Sequence, residues 1–369
     1  MSEDSDSINI PEISIAHLIK NLSGLYAGAI GSDVPLKELP TPFLWGPAGV
    51  GKSQGVAQFA QRIRDLTGKK VNVSVVHLLL FSPVDLRGVP VADEHRKFTD
   101  WLKPRIFDMD PGGDVINILF LDELSAAPQS VQTAAYQITL DRRVGEHTLP
   151  DNCIVIAAGN RTTDQSVAYK MPKALANRLM HFVIKSDLAS WKGWAMNSGI
   201  DPRIIGFLGF DSSRLAVEPG SSDLAYPTPR TWSFVDSILK TAGQNGFDSC
   251  RTLIAACIGK DTELAFEQWC SVYNKLPSAE EIMGGRCRVY PKKPDKLYAL
   301  CSGLASTLIG KGEGLLTGEL ENACAYASRF PMDFAMSFFS DLHEHEATGK
   351  MLMKCRAFNQ WLVTTKSAV

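Results

Sequence analysis

The stretch Gly46-Pro47-Ala48-Gly49-Val50-Gly51-Lys52-Ser53 decides how this chain is read. It fits the pattern GxxxxGK[ST] at every fixed position. Its flanks have the matching character. Phe43-Leu44-Trp45 enters as a short apolar strand, and Val56, Phe59, Ala60, Ile63 and Leu66 then recur at helical spacing until Thr67-Gly68. Glycines at 46, 49 and 51 let the backbone turn so that successive N–H groups face one anion, and the helix N-terminus adds partial positive charge. In that geometry Lys52 reaches the β- and γ-phosphates of a nucleotide, and the Ser53 hydroxyl ligates magnesium. A glycine-rich turn carrying Gly-Lys-Ser by chance is the alternative, and the partners of the motif weigh against it.

The first partner is Val115-Ile-Asn-Ile-Leu-Phe-Leu121 followed by Asp122-Glu123. A mostly apolar strand ending in two acids places carboxylates at the C-terminal edge of a sheet, where ligands of α/β proteins bind. Asp122 suits magnesium held through water, and Glu123 suits a base that polarises the attacking water. Neither acid caps the next helix, because Pro128 opens that helix five or six residues later. The second partner is the strand Ile154 to Ala158, which runs into Gly159-Asn160. An amide there can hydrogen-bond both the γ-phosphate and the lytic water. These motifs imply a nucleoside triphosphate held with magnesium, and their resemblance to AAA+ ATPases implies that the cofactors are ATP and Mg.

These motifs occur in the order found in AAA+ ATPases, and residues 40 to 185 resemble the MoxR family of the helix-2-insert clade. Ser82-Pro-Val-Asp-Leu-Arg-Gly88 is similar to a PSDLLG-like segment of that family. Gly88 to Pro104 sits where the family inserts a hairpin, and Asp141 to Pro150 looks like the hairpin preceding sensor 1. Tyr169-Lys-Met-Pro-Lys-Ala-Leu-Ala-Asn-Arg178 resembles the family's YPLPEAQLDRF stretch. By position, the resemblance makes Asn160 the sensor 1 residue and Arg178 an arginine finger acting on the neighbouring subunit. It makes Arg230, in Tyr226-Pro-Thr-Pro-Arg-Thr-Trp232, the sensor 2 residue of a helical lid. A guanidinium suits both posts because it stays charged and its fork matches phosphate oxygens. The sequence departs from the family after Glu123, where Leu124-Ser125-Ala126-Ala127 replaces the usual Asn-Arg. Arg142, Arg143 and Arg161 are the nearby candidates for a displaced trans-acting arginine.

The 369 residues predict about two domains. We expect a frayed tail over 1–12 and an α/β core with a P-loop NTPase parallel sheet flanked by helices over 13–210. A Gly/Ser/Pro-rich linker follows over 211–229, then a helical lid over 230–369. In the lid, Thr231 to Ala242, Leu253 to Leu276, Asp295 to Ile309, Glu319 to Leu342 and Met351 to Thr365 carry helical apolar stripes. Hydrophobic residues at 45% and charged ones at 21% are ordinary for a folded chain and argue against general disorder. No apolar run reaches the roughly 18 to 20 residues of a membrane helix. The acidic start Met1 to Ser7 is unlike a signal peptide, so the expected location is cytoplasmic. Eight cysteines without a CxxC pair read as buried thiols, and His343 with His345 lacks metal-ligand spacing.

The resemblance implies a hexameric ring that remodels a protein client, commonly one linked to a von Willebrand A domain. No DxSxS motif occurs here, so such a domain belongs to another chain. The competing reading is a nucleic-acid motor with basic pore hairpins. Against it, Asp93, Glu94, Asp100 and Glu146 offset Arg96, Lys97, Lys103, Arg105, Arg142 and Arg143, and 38 Lys+Arg face 40 Asp+Glu overall. A GTPase-like switch fits poorly, since Asn274-Lys275-Leu276-Pro277 lacks the Asp of NKxD. The basic stretch around Gly285 to Lys293 reads as a solvated loop. Phe81 is either a pore-loop aromatic or a buried strand-end residue.

Overall fold

A computed structural model describes residues 10–161, 164, 169, 171, 173–242 and 246–366. They form two compact units, Met1–Lys185 and Ser186–Val369. In the first, the elements run β1 (Glu12–Ser14), α1 (Ile15–Gly31), β2 (Thr41–Trp45), α2 (Lys52–Thr67), β3 (Lys70–His77) and α3 (Pro83–Arg87). There follow β4 (Val89–Ala92), β5 (Thr99–Leu102), β6 (Val115–Asp122), α4 (Gln129–Asp141), β7 (Arg143–Val144) and β8 (His147–Thr148). The unit ends with β9 (Cys153–Gly159), α5 (Lys173–Ala176) and β10 (Leu179–Lys185).

Six strands make one parallel sheet in the order β1-β10-β2-β9-β6-β3. Every residue of β6 and β9 is buried, as expected of central parallel strands covered on both faces. Strand β3 lies at the edge and shows the alternation of a half-exposed strand, with Val73 and Val75 open to solvent. One polar group interrupts β6: the buried Asn117 amide donates to the Asp110 carbonyl at 2.7 Å and to Asn152 Oδ1 at 3.0 Å, so its burial is compensated. Apolar layers cover each face, one built on Phe43, Leu119 and Val155, the other on Leu44, Phe59 and Ile118. The expected fold class, a parallel P-loop sheet flanked by helices with a helical C-terminal region, is the one observed.

Both expected hairpins form, β4–β5 and β7–β8, each antiparallel. The tip of the first is shaped by Asp93, whose carboxylate accepts the Lys97 and Phe98 N–H groups at 2.6 and 2.8 Å. Phe81 packs against the core instead of projecting from it. The expected tail differs in part. Residues 1–9 lie outside the described residues, whereas Glu12–Ser14 pair with Val183–Lys185 and close the sheet.

The second unit holds α6 (Leu188–Asn197), α7 (Pro202–Phe210), α8 (Pro229–Thr241), α9 (Arg251–Ile258), α10 (Lys260–Tyr273) and α11 (Ala279–Met283). Behind them come α12 (Pro294–Gly310), α13 (Thr317–Ala327), α14 (Met332–Glu344), α15 (Glu346–Leu352) and α16 (Arg356–Lys366). Residues 188–210, which we expected in the first unit, belong here because Ile204, Ile205, Phe207 and Leu208 share a core with Trp232 and Phe266. The stretch 211–229 is packed rather than free: Leu215 is buried, the Val217 N–H meets the Pro227 carbonyl, and the Trp232 indole donates to the Arg214 carbonyl. Two long helical stripes are each broken in two. Gly259, at φ 79°, separates α9 from α10, and Pro331 forces an extended entry into α14.

Candidate nucleotide site

Three parallel strand ends converge on the loop between β2 and α2. Gly51 caps α2 at φ 104°, a left-handed conformation that suits glycine, and supplies no side-chain acceptor to the first turn. The N–H groups at this helix start are therefore open to an anion. Lys52 is buried to 8% exposure. Its ammonium donates to the Gly46 and Pro47 carbonyls and to Asn160 Oδ1 at 3.1 Å, which joins the loop to the end of β9.

The Ser53 hydroxyl donates to Asp122 Oδ2 at 2.9 Å. A hydroxyl and a carboxylate in contact at the start of a helix form the hard oxygen donor set that magnesium takes, with phosphate and water completing its shell. The residues present thus fit both a nucleotide phosphate chain and its metal.

Glu123 directly follows β6 and is half-buried. Its backbone sits at φ 59°, a strained conformation for a non-glycine residue that costs about 1–3 kcal/mol. Neighbouring bonds enforce it. The Glu123 N–H donates to Asp122 Oδ1 at 2.9 Å, and the Leu124 N–H donates to the Ala158 carbonyl at 2.9 Å. The chain therefore leaves the strand at the residue we expect to handle the attacking water.

Two residues here escaped the sequence reading. His77 ends β3 in register with Asp122, its Nδ1 3.9 Å from Asp122 Oδ2. Only the pairing of β3 with β6 brings it there, and a lone histidine carries no such signal. Ser125 is the second. Its hydroxyl donates to the Asn160 carbonyl at 2.8 Å and accepts the Asn160 N–H at 2.9 Å. Gly159 permits this close approach, since a Cβ there would stand 2.6 Å from Ser125 Oγ. The segment Leu124-Ser125-Ala126-Ala127 after Glu123 thus carries a clamp that fixes the Asn160 backbone. Ser125→Ala is expected to cost about 1–3 kcal/mol in a urea unfolding series, the range for stranding a buried polar group. An unchanged midpoint removes the clamp.

The arginines separate by burial. Arg142, a candidate for a trans-acting role, is corrected: it is 6% exposed inside its own unit, and burial pulls its guanidinium below the usual arginine range. Its Nη2 donates to the Leu39 carbonyl, so it has no path to a neighbour's nucleotide. Arg161 is held by Asp164 at 2.7 Å, while Arg143 is exposed. Arg178 is exposed immediately before β10. Because Leu179 pairs with Thr41 and Val183 with Trp45, Arg178 lies at the strand-start edge of the sheet. That is about 20 Å along the direction of β2 from Gly46, where the phosphate loop begins. Arg230 belongs to the second unit, exposed in the first turn of α8.

No family model matches the chain, and no curated protein does. Several solved structures share a similar arrangement. A RuvB variant of Thermotoga maritima is 15% identical, with 85% of this chain and 92% of that chain covered at a TM-score of 0.39. PCH-2 of C. elegans is 16% identical, with 72% of each chain covered at 0.34. A candidate ATPase of Cytophaga hutchinsonii is 13% identical, with 94% and 80% covered at 0.30. No helix among the described residues is long and apolar enough to cross a membrane.

Proposed function

We propose that this chain is an ATP-hydrolysing AAA+ subunit of MoxR type, which assembles into a hexameric ring and remodels a protein client in the cytoplasm. The observation that carries the reading is the Ser53 hydroxyl resting on the Asp122 carboxylate at 2.9 Å, beside the phosphate loop. In it, backbone N–H groups of residues 46 to 53 and the Lys52 ammonium bind the phosphate chain. Ser53 and Asp122 hold magnesium, which supplies charge neutralisation at the phosphate oxygens. Glu123 accepts a proton from the attacking water, and Asn160 orients that water against the γ-phosphate. Arg178 and Arg230 contribute guanidinium charge, the first to a neighbouring subunit's nucleotide and the second to its own.

The position of Arg178 supports a trans role, because it stands away from its own phosphate loop at the opposite edge of the sheet. The two hairpins are the natural client-facing elements. A two-stranded hairpin is marginal alone, and β4–β5 leaves Val89, Phe98 and Leu102 exposed. A client bearing, or delivered by, a von Willebrand A domain on another chain follows from the family resemblance. Magnesium-dependent phosphate release by the wild-type protein, abolished in Lys52→Ala, tests the core of the reading, with light scattering in ATP testing the ring. If purified wild-type protein releases no phosphate, the ATPase assignment fails.

The competing nucleic-acid motor loses Arg142 from its basic set, since that residue is buried. It requires ATP turnover stimulated by DNA at low salt. Absence of stimulation rules it out.

A further inference from the structure

We propose that residues 286–293 of the helical unit form a binding strap for the phosphate backbone of double-stranded nucleic acid. Binding by the strap is independent of the ATPase reading. Between Gly284 and Lys296 the sequence places five cations, Arg286, Arg288, Lys292, Lys293 and Lys296, against one acid, Asp295. Arg286, Arg288, Lys292 and Lys293 are all exposed. None of these four makes an ion pair among the described residues. In a chain whose overall charge is -2, an unneutralised run of this kind is a local departure.

The backbone beneath these charges is pinned. The Arg286 N–H donates to the Glu281 carbonyl at 3.0 Å, and the Tyr326 hydroxyl donates to the Val289 carbonyl at 2.8 Å. Tyr290 packs edge-on to Phe330 with ring centroids 5.3 Å apart, and the Arg329 guanidinium lies over Tyr290 at 5.5 Å. The strap is thus fastened through its centre to α13 and the turn after it, while its four cationic residues stay exposed. A pinned backbone lowers the ordering entropy of binding relative to a free loop.

The occupant follows from charge and from what the strap lacks. Eight residues span at most about 26–29 Å, and duplex DNA presents one negative charge per roughly 1.7 Å of axis at any sequence. An acidic polypeptide needs a dedicated run of carboxylates to match that density. The Tyr290 ring is already occupied by Phe330 and Arg329, so no aromatic platform remains for stacking unpaired bases. Backbone recognition of a duplex, indifferent to sequence, is the mode that remains.

The test uses full-length protein without nucleotide and a fluorescein-labelled 24-base-pair DNA duplex, read by anisotropy. Four phosphate contacts give a log–log salt slope near -3.6, or a roughly 150-fold loss of affinity between 50 and 200 mM KCl. Replacing all four exposed cations by Gln should weaken binding at 50 mM by tenfold or more and flatten the slope. The half-variants, R286Q with R288Q and K292Q with K293Q, should each remove about 1.8 from the slope. Urea midpoints equal to wild type show that the variants fold. Three outcomes each overturn the proposal: no duplex binding by wild type at 50 mM, variants that bind as wild type does, or poly-L-glutamate bound more tightly than the duplex. Because hydrolysis is not measured, failure of the ATPase reading leaves this result standing, and the reverse holds too.

Discussion

Arg178→Ala subunits are expected to assemble, bind ATP and lose turnover by about 10³- to 10⁵-fold, or roughly 4–7 kcal/mol of barrier. The expectation comes from placement. Arg178 is exposed at the start of β10, beside Thr41, whereas the phosphate loop leaves β2 beyond Trp45. A residue at the strand-start edge is badly placed for its own nucleotide, as the proposed trans role requires. Mixing supplies the decisive measurement. Arg178→Ala and Glu123→Gln subunits are each expected to be inactive alone, yet in a mixed form of the proposed ring some interfaces would pair an intact Glu123 with an intact Arg178. Phosphate release should therefore reappear and peak at intermediate ratios. With mixed assembly confirmed, no recovery at any ratio removes the trans role. An alanine variant as active as wild type removes any role at all.

Glu123→Gln is expected to keep ATP binding within a few-fold and to slow hydrolysis by about 10² to 10⁴, the usual worth of a positioned general base. Glutamine preserves the shape of the side chain but cannot take the proton. The φ of 59° at Glu123 and the bonds that enforce it are backbone features, so the substitution leaves them intact. The loss should fall on kcat with little change in KM, which separates it from Lys52→Ala, where phosphate binding itself goes. Normal turnover in Glu123→Gln passes the proton-accepting role to another group. The slowed form also offers a practical handle, because the proposed ring, held with ATP, should retain the proposed client long enough for affinity capture.

The site was legible in sequence where its chemistry lies in contiguous backbone. A glycine loop between a strand and a helix, an apolar strand ending in Asp122-Glu123, and a strand running into Asn160 each carry their meaning locally. Continuous apolar runs also exposed the central strands β6 and β9, whereas β3 is an edge strand that ends at His77 and is followed by a 3-10 turn over Leu78–Leu80. The long helical stripes were legible as helix but not as separate helices. Apolar spacing persists through Gly259, and only a non-helical backbone angle reveals that break.

What the sequence by itself determined, then, is the parallel P-loop fold class of the core, the positions of its acidic strand end and glycine loop, and the order in which they occur. Tertiary structure alone decided which arginines are accessible, since Arg142 and Arg143 are adjacent in the chain but only the first is buried. It also brought His77 to Asp122 and Ser125 to Asn160, and moved the division between the units to Lys185. The physical reason is the same in each case. A motif's geometry is set by covalent neighbours, whereas burial and cross-strand contact depend on the register between segments far apart in sequence, and that register is fixed only when the sheet and its covering helices pack.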